Sequence, residues 1–374
     1  MTQKATREGV REHNRRLILR SVFSGSATNR AAIAQQTGLA KPTVSDLVGE
    51  LIEEGLLEEG GRGESTESGG KRPTLLHFRT GARQIIGVSI DALQVQGVLA
   101  DLSGEVFARH CAELDDVQGD EALTVLQEVI NGLIAQLDAP LMCISLGAPG
   151  IIQNDVVKSS PTLGWSNLHL AKHLPYDVPI YVGNNTELAT RAQASFNTDN
   201  AQNLVMVLVN ASIEIGIAFG KAAYHHSGDL GSLRILPESE PFNHHLGWRS
   251  IKERIESLRM TMPDTSLPDK PTYLDVRYGY QQGDWLCNML VDELAGHLAQ
   301  VFAWITALIR PDHIAMAGGV VELGDPFLDL VTRRAAELIP PDLLNAVTFS
   351  LAEDQTLSVT GTLAHALSRE LGVL

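Results

Sequence analysis

Two apolar rhythms alternate along this chain. The first is helical and lies near the start: Leu17, Ile18, Val22 and Phe23, then Ala32 and Ile33, then Val44, Leu47, Val48, Leu51 and Ile52. Apolar positions three and four apart put one face of a helix against a core. Thr28 is the expected N-cap of a helix over 29–36, and Gly38 supplies a tight turn with Leu39 facing inward. A second helix opens at Lys41-Pro42, where a missing N–H costs nothing, and ends at Gly55. Leu56-Leu57 and Leu75-Leu76-His77-Phe78 then read as short strands flanking EEGGRGESTESGGKRP.

The second rhythm starts at residue 85. IIGVSIDALQVQGVLADLSGEVFARH holds three short apolar runs broken by turn residues, the pattern of an antiparallel meander. A helix over Ala122–Leu137, a buried strand over Leu141–Leu146, a strand ending at Val182 and a helix from Thr186 follow. Strands over Leu204–Val209 and Ile213–Phe219 begin the same scheme again. An amphipathic helix from Trp285 to Arg310 and a strand over His313–Ala317 complete it. A scheme of meander, helix and strand used twice predicts two α/β lobes around a cleft.

Composition narrows the picture. The chain has 374 residues, 44% of them hydrophobic, and a net charge of −16. That charge argues against a general nucleic-acid coat, but it is unevenly spread. Residues 1–80 hold 12 of the 29 Lys+Arg and 10 of the 45 Asp+Glu, leaving a balance of −18 for the remainder. A mildly basic head on an acidic body is the result. No apolar run reaches the roughly 18 residues of a membrane span, and the polar start has no signal-peptide character. Cys111, Cys143 and Cys287 are too scattered for a disulfide framework or a zinc pattern. The expectation is a cytoplasmic protein with no membrane partner, no cofactor and buried, reduced thiols.

Two helices joined by a glycine turn, then two strands around a glycine-rich tip, describe a winged helix-turn-helix. Lys41, Thr43 and Ser45 in the second helix's first turn would face operator DNA, with Arg62, Lys71 and Arg72 on the wing. Glu50, Glu53 and Glu54 fall in the helix's other half.

The whole chain resembles the ROK family (repressors, open reading frames and sugar kinases), in its transcriptional-repressor branch. The winged helix, LGAPGII at 146–152, PTLGW at 161–165, IYVGNNTELA at 180–189, SGDLGSL at 227–233 and RPDHIAMAGGVV at 310–321 carry the resemblance. It implies an α/β, two-lobed actin-like ATPase fold of the sugar-kinase type behind the winged head, and a homodimer or homotetramer. Expected boundaries are 1–80 for the head, 81–187 plus 361–374 for the first lobe and 188–360 for the second.

Kinases of this family need an Asp-x-Gly-Gly-Thr turn, and Asp91-Ala92-Leu93 stands there without the glycines. Their second phosphate loop is reduced to Gly216, with Glu214 placed to repel a phosphate. Asn185 takes the place of the catalytic aspartate, and an amide has no useful basicity near neutral pH. Glu187 lies close by, but would need a shifted geometry to act as the base. No catalytic residue is expected. Asn184 keeps the family's sugar-contacting asparagine, and Asn185, Asp229, Thr162 and Ser232 supply further polar groups for a sugar or sugar-phosphate effector. The family's zinc-binding cysteines are absent. His244-His245 and His225-His226 are adjacent pairs unsuited to tetrahedral ligation, so no metal is expected. The leading expectation is a DNA-binding regulator of carbohydrate genes. A sugar kinase carrying a DNA-binding domain and a regulator without a small ligand stay open beside it.

Overall fold

The computed structural model describes residues 7–63, 72–114, 117–196, 203–220, 222–224, 230–234, 236–261, 264–352 and 357–373. Everything below concerns those residues. Lys71, Asp229 and the His225-His226 pair lie outside them.

The head is built from α1 (Arg7–Phe23), α2 (Arg30–Thr37), α3 (Lys41–Glu53) and the antiparallel strands β1 (Leu57–Arg62) and β2 (Thr74–Phe78). The cap of α2 is Asn29, not Thr28. Asn29 takes extended backbone and its Oδ1 accepts from the N–H groups of Ala31 (3.1 Å) and Ala32 (3.0 Å). The carbonyl of Thr28 instead accepts from Leu76 N–H (2.8 Å), tying the helix pair to the wing strand. Gly38 holds φ 72°, the left-handed turn expected between the helices.

The first lobe follows: β3 (Gln84–Ile90), β4 (Gln94–Asp101), β5 (Val106–Glu113), α4 (Gly119–Ile134), β6 (Leu141–Ala148), the small sheet β7 (Ile151–Gln153), β8 (Val156–Ser160) and β9 (Trp165–Leu168), then α5 (Leu170–His173), β10 (Ile180–Asn184) and α6 (Asn185–Phe196). Its main sheet runs β10-β6-β3-β4-β5, with the first three parallel. The second lobe holds β11 (Asn203–Val209), β12 (Ile213–Phe219), β13 (Ala222–Ala223), α7 (Phe242–Leu246), α8 (Trp248–Thr261), α9 (Tyr273–Gln281), α10 (Trp285–Ile309), β14 (His313–Ala317), α11 (Asp325–Leu338), α12 (Pro341–Leu344) and β15 (Thr348–Leu351). Its sheet, β13-β12-β11-β14-β15, repeats the design, with β11, β14 and β15 parallel. The carboxyl ends of β3, β6, β10, β11 and β14 converge on the space between the lobes, where ligands of open α/β sheets sit.

The last helix, α13 (Leu357–Glu370), packs back on α6 and on the first sheet. Gly361 permits this, since a Cβ there would stand 2.1 Å from the Leu188 carbonyl oxygen of α6. The far end of α13 meets the head. Ile18, Leu19 and Val22 of α1 share one apolar core with Ala366, Leu367, Leu371 and Val373. Arg16 and Arg20 donate to the carbonyls of Arg369 (3.1 Å) and Gly372 (3.2 Å). Cys143 and Cys287 are buried, whereas Cys111 is exposed, because β5 is the edge strand of its sheet.

Candidate functional site

Two regions carry chemistry: the outer face of the head and the cleft between the lobes. In α3, Val44, Leu47, Val48 and Leu51 are buried, which turns Lys41 and Ser45 out to solvent with Thr43 half-buried beside them. Arg62 faces Thr74 across the wing, and both Arg62 and Arg72 are exposed. The acidic half of α3 is compensated from α1: Arg11 pairs with Glu50 and Arg15 with Glu54. Arg30 pairs with Glu59 at 2.7 Å. Those partners are invisible in the sequence, because residues 29 or 39 apart give no local signal that they meet. The structure leaves the first turn of α3 and the wing arginines on the surface, free of ion pairs among the described residues.

In the cleft, Asn184 and Asn185 sit where β10 gives way to α6, and both are buried. Both side chains are engaged by the protein's own groups. Asn184 Oδ1 accepts from Thr186 N–H (2.8 Å) and Glu187 N–H (3.1 Å), capping α6, while its Nδ2 donates to Gly150 O (2.9 Å). Asn185 Oδ1 accepts from Ser89 Oγ (2.9 Å) and its Nδ2 donates to Ile90 O (2.8 Å). Glu214 is also turned inward. Its carboxylate accepts from Thr186 Oγ1 (2.5 Å) and Asn184 Nδ2 (3.3 Å), so a negative charge of the protein's own occupies the N-terminal end of α6. A helix N-terminus favours an anion there. The cavity left beside Asn185, Thr162 and Glu214 measures about 20 Å³, room for about one water.

The remaining expected residues are dispersed. Thr162 lines that small cavity on a one-turn 3₁₀ segment. Ser232 is exposed and does not line it. Glu187 opens into a separate groove of about 850 Å³ that Asn184, Arg191 and Arg369 also line, and it pairs with Arg191 at 3.7 Å. Asp91 remains in the cleft. Its Oδ1 accepts from the N–H groups of Leu93 (2.8 Å) and Gln94 (3.0 Å), and burial pushes the carboxyl upward against those bonds. Of the two histidine pairs only His244-His245 is described, and His245 stacks on His297 with ring centroids 4.3 Å apart.

A helix-turn-helix head on a two-lobed, sugar-kinase-like body is the class that fold and site define. The chain belongs to the ROK family, whose model matches residues 85–366, and the IclR helix-turn-helix domain model matches residues 24–61. It is 28% identical over 237 residues to a xylose repressor of Bacillus subtilis, a match covering 60% of this chain and 61% of that protein's own length. It is 24% identical over 339 residues to the Escherichia coli K12 dual regulator NagC, covering 84% of this chain and 82% of the regulator. A ROK transcriptional regulator described as a homolog of E. coli MLC shares the fold over 97% of this chain and 98% of its own, with a TM-score of 0.77 at 17% identity. A Streptomyces griseus ROK glucokinase, solved with glucose and AMPPNP, matches 75% of this chain and 98% of its own with a TM-score of 0.67 at 15% identity.

Proposed function

We propose that this protein is a DNA-binding transcriptional repressor of sugar-related genes. Its kinase-like body senses a small ligand instead of phosphorylating one. The observation that carries this reading is the pairing of an exposed, cationic first turn and wing on the head with an amide, Asn185, at the base position of the body. The xylose repressors and NagC among its relatives point the same way. The chain acts in the cytoplasm as a dimer or tetramer, presenting two heads to a pseudo-palindromic operator. Ligand and operator then weaken each other by the same factor, as linkage requires.

The test is binding of the purified protein to the DNA upstream of its own gene. The Lys41→Ala/Arg72→Ala double variant is expected to bind at least about tenfold more weakly. Its plot of log affinity against log salt should flatten by about one unit of slope for each phosphate it no longer neutralises. Wild-type affinity in the double variant would place the DNA face elsewhere. Asp91, still in the cleft, favours a kinase. With Asn185 at the base position, no transfer of phosphate from ATP to xylose, glucose or N-acetylglucosamine is expected, and transfer at a steady rate would overturn the reading.

A further inference from the structure

Gly49 stands in the interior of α3, and nothing inside the chain explains it. Glycine is disfavoured there, because its backbone has the most freedom to lose. Gly38 and Gly55, on either side of the helix, hold φ 72° and φ 78°, the left-handed backbone that favours glycine. Gly49 does not have positive φ. Packing does not require it either, since a Cβ there would have nothing within 4 Å. Gly49 belongs to the stripe of α3 opposite the buried Val44, Leu47, Val48 and Leu51, together with the exposed Pro42 and Asp46. A bare backbone on an outward face lets a partner's surface approach more closely than any side chain would allow.

Asp46 lies about one turn before Gly49. It is exposed and makes no hydrogen bond or ion pair among the described residues. Arg11 and Arg15 pair with Glu50 and Glu54 farther along, and not with Asp46. Asp46 stands in the second turn, beyond the first turn in which a helix N-terminus stabilises an acid. On a face that meets DNA, a lone carboxylate repels the phosphates and weakens binding to every duplex, unless a base edge gives it a donor. In the major groove cytosine and adenine offer one, through their exocyclic amines. Adenine sets its N7 acceptor beside the amine, where it repels a carboxylate, and cytosine does not. α3 holds no arginine to read guanine and no asparagine or glutamine to read adenine, and its one cation, Lys41, stands at its first position.

We propose that Asp46 reads a cytosine in the major groove of the operator, and that Gly49 lets α3 sit deep enough for it to do so. The carboxylate accepts from the cytosine N4 amine. The bare backbone at Gly49 lies against the neighbouring base edges, while Lys41, Thr43, Ser45 and the wing arginines hold the phosphates. This inference rests on the DNA-binding reading above and adds to it a base and the residue that recognises it. A two-fold pair of heads then requires one C·G pair in each half-site, at mirrored positions. The same charge that selects cytosine disfavours every duplex that lacks it at that place, so Asp46 gains specificity at the expense of general affinity.

The test is selection of duplexes from a random-sequence pool by the full chain. Fluorescence anisotropy then measures affinity for the selected duplex and for a duplex of A·T pairs alone. The wild-type site is expected to hold one strongly preferred C·G pair in each half, and replacing it should weaken binding about tenfold. Asp46→Ala is expected to lose that preference while binding the A·T duplex about two- to fivefold more tightly, because a repelling charge is gone. Asp46→Asn should turn the preference to A·T at the same position, since an amide pairs with both N6 and N7 of adenine. Gly49→Ala should melt about 1–3 °C higher, as a better helix former, yet bind the selected site about tenfold more weakly. A glycine that served the fold would lower both readouts, and an aspartate that served the fold would leave the selected sequence unchanged. The same selected site from wild type and both Asp46 variants overturns the base assignment. Wild-type affinity in Gly49→Ala overturns the close approach. In either case the repressor reading stands as long as the wild type selects a site; a wild type that selects none removes that reading and this inference with it.

Discussion

On the proposed reading Asn185 stands where a kinase of this fold needs a base, and its surroundings lead to the expectation that an acid there does not make an enzyme. Its Nδ2 donates to the Ile90 carbonyl at 2.8 Å. In Asn185→Asp a carboxylate oxygen would face that carbonyl with no proton between them. The variant is expected to lose about 1–3 kcal/mol of stability, the usual effect of an unmet buried polar group, and to gain no phosphoryl transfer. Denaturant unfolding and an ATP-coupled sugar assay read the two effects, and a stable, active variant would contradict both. The amide itself is plain in the string NNTE. The engagement of that amide is not, because Ser89 stands 96 residues away in the chain. Glu214 follows the same rule. Its charge is legible as hostile to phosphate, but its bond to Thr186 depends on a strand and a helix from different lobes meeting.

The long helix α10 shows how element ends are decided. Asp284 caps it, with Oδ1 accepting from Cys287 N–H (3.1 Å) and Oδ2 from Ser266 N–H (2.6 Å) and the hydroxyls of Ser266 (2.9 Å) and Thr265 (3.0 Å). Burial pushes this carboxyl up, but those hydrogen bonds outweigh it and hold it at about 2. Asp284→Ala is expected to cost about 1–2 kcal/mol in equilibrium unfolding, and Asp284→Asn distinctly less, since an amide still caps. At the other end Arg310 takes φ 51°, a left-handed conformation that penalises a side chain. Arg310 is exposed, so Arg310→Gly is expected to stabilise by about 0.5–1 kcal/mol, visible as a raised denaturation midpoint. Periodicity places this helix within a residue at each end, because a 25-residue amphipathic run leaves few alternatives. It places the α2 cap one residue early. Thr28 and Asn29 are both good caps, and only the pull of the wing on the Thr28 carbonyl decides between them.

Across the whole molecule, acid sensitivity has an identifiable source in the second lobe. Burial is the main cause that lowers the imidazoles of His245 and His297, which stack between α7 and α10. His244 and Arg254 lower His245 further, and His245 and Arg254 do the same to His297. Glu293 opposes the shift at both rings, and Glu240 opposes it at His245. A histidine depressed by folding binds fewer protons than it does in the unfolded chain. Its share of stability is therefore complete above about pH 6.5 and is lost as pH falls through the lowered values. Melting temperature is expected to drop between about pH 7 and about pH 5, and less steeply in His297→Phe. An identical slope in that variant would assign the sensitivity to other groups. What the sequence determined by itself was local: the winged head, the doubled α/β scheme, the paired amides after the strand that ends at Val182, and the basic-on-acidic division of charge. Each follows from neighbours in the chain, through spacing, capping and residue type. What only the tertiary structure decided were meetings of distant segments. Asn184 and Asn185 turn inward, the Tyr273 ring meets that of Trp248 at 4.0 Å, and Arg16 reaches Arg369 across 353 residues to join the head to α13. An apolar stripe or a polar tip states that a face seeks burial or a partner. Which face or partner it finds is fixed by packing all the elements at once, and in this protein that packing joins cleft to head.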